Sequence, residues 1–277
     1  MKVILLGSNG QLAKEFLTNS ANFNFELISF NKTMLDITNF FELKEAMKNY
    51  MPDIVLNCAA YNQVDRAESD QETAYRVNAL GPRNLAVLSN ELNFVLVHFS
   101  SDYVFDGTSK RPYLIFDETN PISVYGKSKL SGEREVSSLC SRHYIVRTSW
   151  VFGDGPNSFP RKLVEWSKGK SSLKIVDDQI SSPTSARYLA LKTLNMINNM
   201  PYGTYHITNS GYCSRFQWAE FIFKTIKLNI ELVPAKSDEF VTPAKRPLFS
   251  VLDNFPLTSD EDWKDTTINY LLTNLQL

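Results

Sequence analysis

Short apolar runs alternate with longer segments of helical spacing along the first 150 residues of the chain. The apolar runs, each typical of a buried parallel strand, are Val3–Leu6, Leu27–Phe30, Ile54–Asn57, Val95–Phe99 and Tyr144–Val146. The helical segments are Gln11–Thr18, Phe40–Tyr50, Gln71–Leu92 and Val124–Leu139. The third segment can be two helices, because Gly81-Pro82 interrupts it. This order predicts an α/β fold with a doubly wound parallel sheet and right-handed crossovers.

The composition is that of a globular protein with a sizeable core. Hydrophobic residues make up 43% of the 277 residues, and 29 basic residues nearly balance 30 acidic ones. A duplex-binding protein would carry a basic excess, so we expect no nucleic-acid partner. No apolar run approaches the roughly 20 residues that cross a bilayer, and the first strand leads into a glycine turn instead of a signal-peptide cleavage site. We therefore expect a cytoplasmic protein without a membrane partner. The cysteines, widely spaced and odd in number, predict reduced thiols: Cys58, Cys140 and Cys213.

A glycine-rich turn, Gly7-Ser8-Asn9-Gly10, follows the first predicted strand and opens the first helix. Strand, turn and helix in that order are typical of a dinucleotide-binding Rossmann-type fold. Gly7 would let the chain turn, Gly10 would let the backbone approach a pyrophosphate, and Ala13 would allow close packing of helix on strand. The helix N-terminus would then present free N–H groups to the phosphates.

The second predicted strand ends at Phe30-Asn31-Lys32, without the acidic residue that binds the ribose 2′-hydroxyl of NAD. Lys32 could meet a 2′-phosphate instead, so NADPH is favoured over NADH. We expect Asp36 and Ile37 to lie near the adenine. The small residues of Asn57–Tyr61, at the end of the third strand, would let the backbone line the cofactor.

The pattern becomes less regular from about Val151, where prolines interrupt shorter elements. We expect residues 1–150 to form the Rossmann domain that binds NAD(P). Residues 151–277 would mainly form a smaller C-terminal lobe that binds the substrate. The strand and helix within residues 173–198 are expected to return to the main sheet.

Tyr125 and Lys129 lie four positions apart in a predicted helix, which places both side chains on one face. An ammonium beside a phenol favours the phenolate, so we expect Lys129 to lower the pKa of Tyr125 and make it a usable general acid. Ser100 and Ser101 follow the fourth strand, at the edge of the sheet where ligands bind. The Ser101 hydroxyl could donate to a substrate carbonyl while Tyr125 protonates it. This chemistry takes its hydride from a nicotinamide and requires no metal.

Motifs in order along nearly the whole chain carry a resemblance to a known family. The chain resembles the extended short-chain dehydrogenase/reductases and, within them, the dTDP-4-dehydrorhamnose reductases. The matching segments are Gly7 to Leu12, Asn57 to Asp65, Ser100 to Gly107, Tyr125 to Lys129, Arg147 to Gly153, Asp178 to Thr184 and Arg246 to Asp253.

The resemblance implies a role for each matched position. Ser101, Tyr125 and Lys129 correspond to the catalytic triad. Contacts with the nucleotide-sugar substrate are implied for Val64, Ser101, Tyr103, Trp150 and Arg246, with an indole suited to a sugar ring and a guanidinium to a diphosphate. The cofactor-binding set comprises Gly7, Asn9, Gly10, Gln11, Leu12, Lys32, Asp36, Ile37, Ala59, Ala60, Tyr61, Asn78, Ser100, Tyr125 and Lys129.

The chain departs from the family pattern at three positions. Ser101 replaces a threonine and keeps the hydroxyl. Ser181 replaces a glycine, which would be costly if that position needs a positive φ. Ser158 replaces an asparagine, with Asn157 one place early, which puts one substrate contact in question. Some family members bind Mg²⁺ at a dimer interface, and Glu15 matches one such position, but a solvated helix residue is the expectation that we favour.

The implied activity is reduction of the C4 keto group of dTDP-4-dehydro-L-rhamnose to dTDP-L-rhamnose by a monomer or homodimer. One alternative is a reductase for another nucleotide 4-keto-6-deoxy sugar. A second is a non-catalytic regulatory subunit resembling that of methionine adenosyltransferase. The intact set of Ser101, Tyr125 and Lys129 argues against the second.

Overall fold

The computed structural model describes residues 1–20 and 25–274. Six strands form one sheet in which every neighbouring pair is parallel: β1 (Lys2–Leu6), β2 (Glu26–Phe30), β3 (Ile54–Asn57), β4 (Val95–Phe99), β5 (His143–Arg147) and β10 (Gly203–His206). Their order across the sheet is β10-β5-β4-β3-β1-β2. The predicted doubly wound α/β fold is confirmed.

Helices flank this sheet, and each face of the sheet is covered by an apolar cluster. The helices before β5 are α1 (Gln11–Asn19), α2 (Phe40–Tyr50), α3 (Val64–Ala67), α4 (Gln71–Tyr75), α5 (Gly81–Leu92) and α6 (Val124–Leu139). One wide helical turn, Arg76–Leu80, joins α4 to α5. The helical segment predicted over 71–92 is therefore a continuous helical path of three parts, because Pro82 lies at the start of α5 and needs no N–H partner there.

Helix α6 carries Tyr125 and Lys129, and a buried ion pair fixes it to the sheet. Glu133, one turn beyond Lys129, accepts hydrogen bonds from Nε and Nη2 of Arg147 in β5, the shorter being 2.7 Å. The Ser123 side chain caps the helix by accepting from the Gly126 N–H at 3.2 Å. The ion pair fixes α6 to β5, and the cap satisfies an N–H group in the first turn of α6.

Smaller elements follow β5: β6 (Val151–Phe152), α7 (Phe159–Ser167), β7 (Ser172–Val176), β8 (Ile180–Ser181), β9 (Thr184–Ser185), α8 (Ala186–Asn199), β11 (Cys213–Ser214), α9 (Arg215–Thr225), β12 (Glu231–Ala235) and α10 (Trp263–Asn274). They pair as β6 with β9, β7 with β12 and β8 with β11. A separate apolar cluster around the fully buried Trp218 packs this part of the chain.

The strand and helix of residues 173–198 were both expected to return to the main sheet, but only the helix packs there. The strand pairs with β12 and lies outside the main sheet, because alternate residues of that strand face solvent and it cannot fill a doubly covered position. The helix α8 packs on α1, against the main sheet. The division into residues 1–150 and 151–277 stays a prediction. In the described parts of the chain, no helix is long and apolar enough to cross a membrane.

Candidate active site

The turn after β1 lies at the point where the strand order of the sheet reverses, between β1 and β3. Gly7 has φ +78°, and its N–H donates to the Phe30 carbonyl oxygen at the end of β2 (2.9 Å). A Cβ on Gly7 would come within 2.7 Å of the Ala59 backbone nitrogen. Glycine is therefore required at position 7 for two reasons: its positive φ, and the close approach of the loop that follows β3.

A cavity of about 380 Å³ opens beside this turn. Three polar atoms in its walls are buried and have no hydrogen-bond partner among residues 1–20 and 25–274: Gln11 Oε1, Ser100 Oγ and Thr148 Oγ1. Buried polar groups are normally paired, so such atoms point to a polar ligand. A glycine turn at a helix N-terminus, next to unpaired hydroxyls, suits a nicotinamide dinucleotide. The cavity walls include Gly10, Gln11, Leu12, Ala60, Val64, Ser100, Ser101, Tyr103, Tyr125, Lys129 and Trp150.

Ser101 and Tyr125 come together at one wall of this cavity. The two side chains lie close together, and the Ser101 hydroxyl lowers the pKa of the Tyr125 phenol. Burial acts more strongly in the opposite direction, so the net pKa of Tyr125 is raised above its usual value of 10. The ring of Tyr103 meets that of Tyr125 edge-on, 5.7 Å between centroids.

Lys129 does not act on Tyr125 in the expected way. Its ammonium is buried and donates to the Phe99 carbonyl oxygen at 2.6 Å. Burial lowers the pKa of Lys129 itself to about 8. The predicted lowering of the Tyr125 pKa by Lys129 is therefore wrong for this arrangement, because desolvation of the phenol dominates. The two side chains do share the cavity wall, as their spacing predicted.

Trp150 also lines this cavity, and it has a backbone conformation that is rare for a large residue, with φ +43°. Strain of this kind costs on the order of 1–3 kcal/mol and clusters at functional sites. The guanidinium of Arg215 stands over the indole, 3.5 Å from its ring centre, and Trp218 stacks beside it at 6.0 Å. One face of Trp150 is thus covered by a cation.

Arg215 is a functional candidate that sequence reasoning missed. It is the first residue of α9, it lines the catalytic cavity, and burial lowers its pKa to about 10. In the described chain its side chain has no acidic ion-pair partner within 4.0 Å. No motif or spacing marks it in the sequence, and only folding brings it beside Trp150.

A second cavity, of about 830 Å³, adjoins the first, and Tyr103, Asn157 and Arg215 line both. Its other walls carry several cations and few acids, with Lys162, Lys174, Lys245 and Arg246 against Asp238. Such a surface suits a negatively charged ligand.

Arg246 was expected to bind the diphosphate of the substrate, but part of its guanidinium is already hydrogen-bonded within the chain. Its Nη2 donates to Asp65 Oδ2 at 2.6 Å and its Nη1 to the Ala244 carbonyl oxygen. The neighbouring Asp65 and Tyr103 side chains outweigh burial and raise the pKa of Arg246. Arg246 and Tyr103 both line the second cavity.

Several predicted cofactor residues lie away from the catalytic cavity. Asn78 is buried and bonds both backbone groups of Tyr61 and the Ser128 hydroxyl, so it holds the β3 loop against α6. Lys32 is exposed beyond β2, and Asp36 caps the N–H of Thr38. The roles assigned to these residues, and to Asn9, Ile37 and Ala59, stay predictions.

The departures from the family pattern have structural outcomes. Ser181 lies in strand β8 with negative φ, so the glycine is not needed there, and its hydroxyl donates to the Ser250 carbonyl oxygen at 3.2 Å. Asn157 lines both cavities, while Ser158 is fully buried. Asn157 therefore offers its amide where the two cavities meet.

No cluster of three or more His, Cys, Asp or Glu side chains is placed to hold a metal ion within the part of the chain that the structure describes. Glu15 is partly buried, which raises its pKa, and it lies near Arg187 and Asn19. These neighbours satisfy its carboxylate within the chain, and nothing here supports Mg²⁺.

The doubly wound sheet, the glycine turn at its switch point and the Ser–Tyr–Lys set beside that turn define the extended short-chain dehydrogenase/reductase class. The model of the family described as "RmlD substrate binding domain" matches residues 1–273. The chain belongs to this family.

Two curated relatives span almost the whole chain. The spore coat polysaccharide biosynthesis protein SpsK of Bacillus subtilis is 32% identical over 274 residues, with 98% of this chain and 96% of the relative covered. The dTDP-4-dehydrorhamnose reductase of Escherichia coli is 34% identical, with 95% of each chain covered.

Two solved structures are similar throughout. A dTDP-4-dehydrorhamnose reductase from Clostridium acetobutylicum superposes with a TM-score of 0.97 at 40% identity, covering 100% of both chains. One from Bacillus anthracis, in complex with NADP, gives 0.95 at 34% identity over 98% of each chain. Both chain length and fold are therefore shared with these enzymes.

Proposed function

We propose that this protein reduces the C4 keto group of dTDP-4-dehydro-L-rhamnose to give dTDP-L-rhamnose. The observation that carries the proposal is the placement of Ser101 and Tyr125 together in the wall of the catalytic cavity, in a chain similar over its length to reductases of that name. A serine and a tyrosine side by side can hold one carbonyl oxygen between them.

In this scheme Ser101 polarises the C4 carbonyl and Tyr125 transfers its proton to the oxygen. A phenol with a raised pKa is a weaker acid, but it stays protonated at neutral pH, so Tyr125 holds the proton that the reaction consumes. Lys129 lies on the same helix face and would hold the nicotinamide ribose. The bound dinucleotide supplies the hydride to C4.

The dinucleotide would bind through the Gly7–Leu12 turn, with Gln11, Ser100 and Thr148 offering unpaired polar atoms toward its nicotinamide end. We propose NADPH as the preferred form. Lys32 is exposed at the end of β2 and free to meet a 2′-phosphate, and a similar solved structure holds NADP. NADH remains the alternative that a direct comparison of the two affinities would test.

The sugar would lie against Trp150, Tyr103 and Val64, whose side chains line the catalytic cavity. The dTDP portion would extend into the second cavity, where cations exceed acids. Arg215 and Asn157 stand where the two cavities meet, so they are placed to contact the diphosphate between them.

The test is loss of NADPH absorbance when dTDP-4-dehydro-L-rhamnose is added. Tyr125→Phe should keep NADPH affinity and lose on the order of 100- to 10,000-fold in kcat, because it lacks the acidic proton. Tyr75→Phe is the matched control, since Tyr75 is exposed on α4 and should retain full activity. Full turnover by Tyr125→Phe would remove the proton-donor assignment.

The alternatives give different results in the same assay. Another nucleotide 4-keto-6-deoxy sugar, oxidising NADPH faster than the rhamnose precursor, would point to a different substrate. Binding of NADPH with no oxidation by any keto sugar would favour the regulatory-subunit hypothesis.

A further inference from the structure

The carboxylate of Asp102 gathers three serine hydroxyls from three separate parts of the chain. Ser101 donates to Oδ1 at 3.0 Å and Ser250 donates to Oδ2 at 2.6 Å. The Ser181 hydroxyl shares its one proton between Oδ2 at 3.4 Å and the Ser250 carbonyl oxygen at 3.2 Å. Asp102 is buried, as are all three serines. The catalytic hydroxyl of Ser101 is thus connected through Asp102 to strand β8 and to the segment around residue 250.

The bond from Ser101 to Asp102 matters because it uses the one proton that the Ser101 hydroxyl can donate. A serine hydroxyl has one proton to donate and can accept two bonds. Its oxygen already accepts from the Tyr103 N–H at 3.2 Å, which leaves one acceptor position. While its single proton goes to an ionised Asp102, Ser101 has none to give to a substrate carbonyl.

We propose that Asp102 is a positioning residue that controls where Ser101 directs its proton. The inference rests on the proposed function, in which Ser101 polarises the C4 carbonyl. An ionised Asp102 draws the Ser101 proton to itself. A neutral Asp102 can donate its own proton to the Ser101 oxygen, which releases the Ser101 proton toward the substrate. The neutral form holds one more proton than the ionised form, and Asp102 takes that proton up from solvent as the pH falls. Within the neutral form Asp102 and Ser101 each keep their own proton, and only the hydrogen bonds change direction.

The surroundings of Asp102 allow both forms near neutral pH. Burial raises its pKa to about 6, while the Ser250 and Ser101 hydroxyls and the charge of Arg215 oppose that rise. The other titratable groups facing it are Tyr103 and Tyr125, whose pKa values are themselves raised by burial.

Ser181 makes this network a feature of the present chain. The family pattern has glycine at this position, which offers no side-chain donor. Here the Ser181 hydroxyl lies between the Asp102 carboxylate and the Ser250 carbonyl oxygen. A donor to the ionised form lowers a carboxyl pKa, so Ser181 should favour ionisation of Asp102.

The first test needs no substrate. The side-chain carboxyl of Asp102 is titrated by carbon-13 NMR and assigned by its loss in Asp102→Asn. Because each serine stabilises the ionised form, Ser101→Ala and Ser250→Ala should raise the measured pKa, and Ser181→Gly should raise it less, since its bond is longest. Ser131→Ala, on the outer part of α6, is the control that should leave it unchanged. An unchanged value in Ser101→Ala would overturn the proposal whatever the enzyme reduces.

The second test measures kcat against pH with NADPH and the keto sugar. Wild-type kcat should fall as pH rises through the Asp102 pKa, up to tenfold per pH unit if the ionised form is inactive. Asp102→Asn should flatten this fall, and Ser181→Gly should move it to higher pH. Ser101→Ala should be slow and flat, because Asp102 acts through Ser101. A wild-type profile retained in Asp102→Asn would refute the inference, whereas absence of turnover in the wild type would instead refute the proposed function.

Discussion

The guanidinium carbon of Arg215 lies 3.5 Å from the centre of the Trp150 ring, at the junction of the two cavities. A cation over an indole face is attracted by the ring quadrupole, and burial strengthens the attraction. The same guanidinium lies 5.0 Å from the Phe159 ring centre. Arg215 is therefore held in place by aromatic rings, and among residues 1–20 and 25–274 no carboxylate lies within 4.0 Å of its guanidinium.

Replacing Arg215 by glutamine should raise the KM for the nucleotide sugar more than it lowers kcat. The change removes the charge at the cavity junction but keeps a polar side chain, and bonds to charged groups contribute about 1.5–3 kcal/mol. We expect a KM increase on the order of tenfold or more with NADPH affinity unchanged. Arg134→Gln, on the exposed face of α6, should leave both parameters as in the wild type. Equal KM values for the two variants would remove Arg215 from the substrate site.

The difference between Arg215 and Tyr125 shows what a sequence can reveal. Tyr125 and Lys129 were found because helix spacing joins them within a few residues and a glycine turn gives them context. Arg215 lies far along the chain, at a helix start that any polar residue could occupy, and tertiary packing alone places it over Trp150. The strand pattern predicted five strands of the main sheet, but β10, a short strand that begins two residues after Pro201, was missed. The pKa of Tyr125 was predicted in the wrong direction, since spacing reports proximity and not desolvation.

Gly7→Ala should destabilise the protein and weaken NADPH binding together. The substitution meets two costs, a positive φ and a Cβ within 2.7 Å of the Ala59 backbone. Gly169→Ala is the matched control, because Gly169 has φ +70° with nothing within 4 Å of its added Cβ. The control should lose about 1–3 kcal/mol from its dihedral angle alone, and Gly7→Ala should lose more. Urea unfolding and fluorescence titration with NADPH would measure both effects. Similar losses in the two variants would show that the β3 loop yields to the added methyl group.

Glu133→Gln should be strongly destabilising because it leaves the buried Arg147 charge without its partner. Arg147 and Glu133 side chains are only 8% and 5% exposed, and breaking a buried pair from one side costs about 3–5 kcal/mol. Glu135→Gln is the control, since the Arg83–Glu135 pair is exposed and worth about 0–1 kcal/mol. The urea midpoints of the two variants give the comparison. A small loss in Glu133→Gln would mean that water reaches Arg147 and that the pair does not fix α6.

The pH dependence of stability should report the burial of Lys129. Its folded pKa of about 8 lies below the value of 10.5 for the exposed amine. Between these two values the unfolded chain binds the proton and the folded chain does not, so this residue makes the free energy of unfolding rise with pH. A shift of that size corresponds to roughly 3 kcal/mol across the window. Other groups also titrate there, so the measured quantity is the difference between the wild type and Lys129→Met.

We expect Lys129→Met to have a larger free energy of unfolding than the wild type at pH 7.5, because the substitution removes a buried charge. That advantage should shrink steadily as the pH approaches 10. The lost bond to the Phe99 carbonyl oxygen adds an offset that does not vary with pH. Lys127→Met, on the exposed side of the same helix turn, should run parallel to the wild type. If Lys129→Met also runs parallel, the ammonium is solvated, and burial of Lys129 does not contribute to the pH dependence of stability.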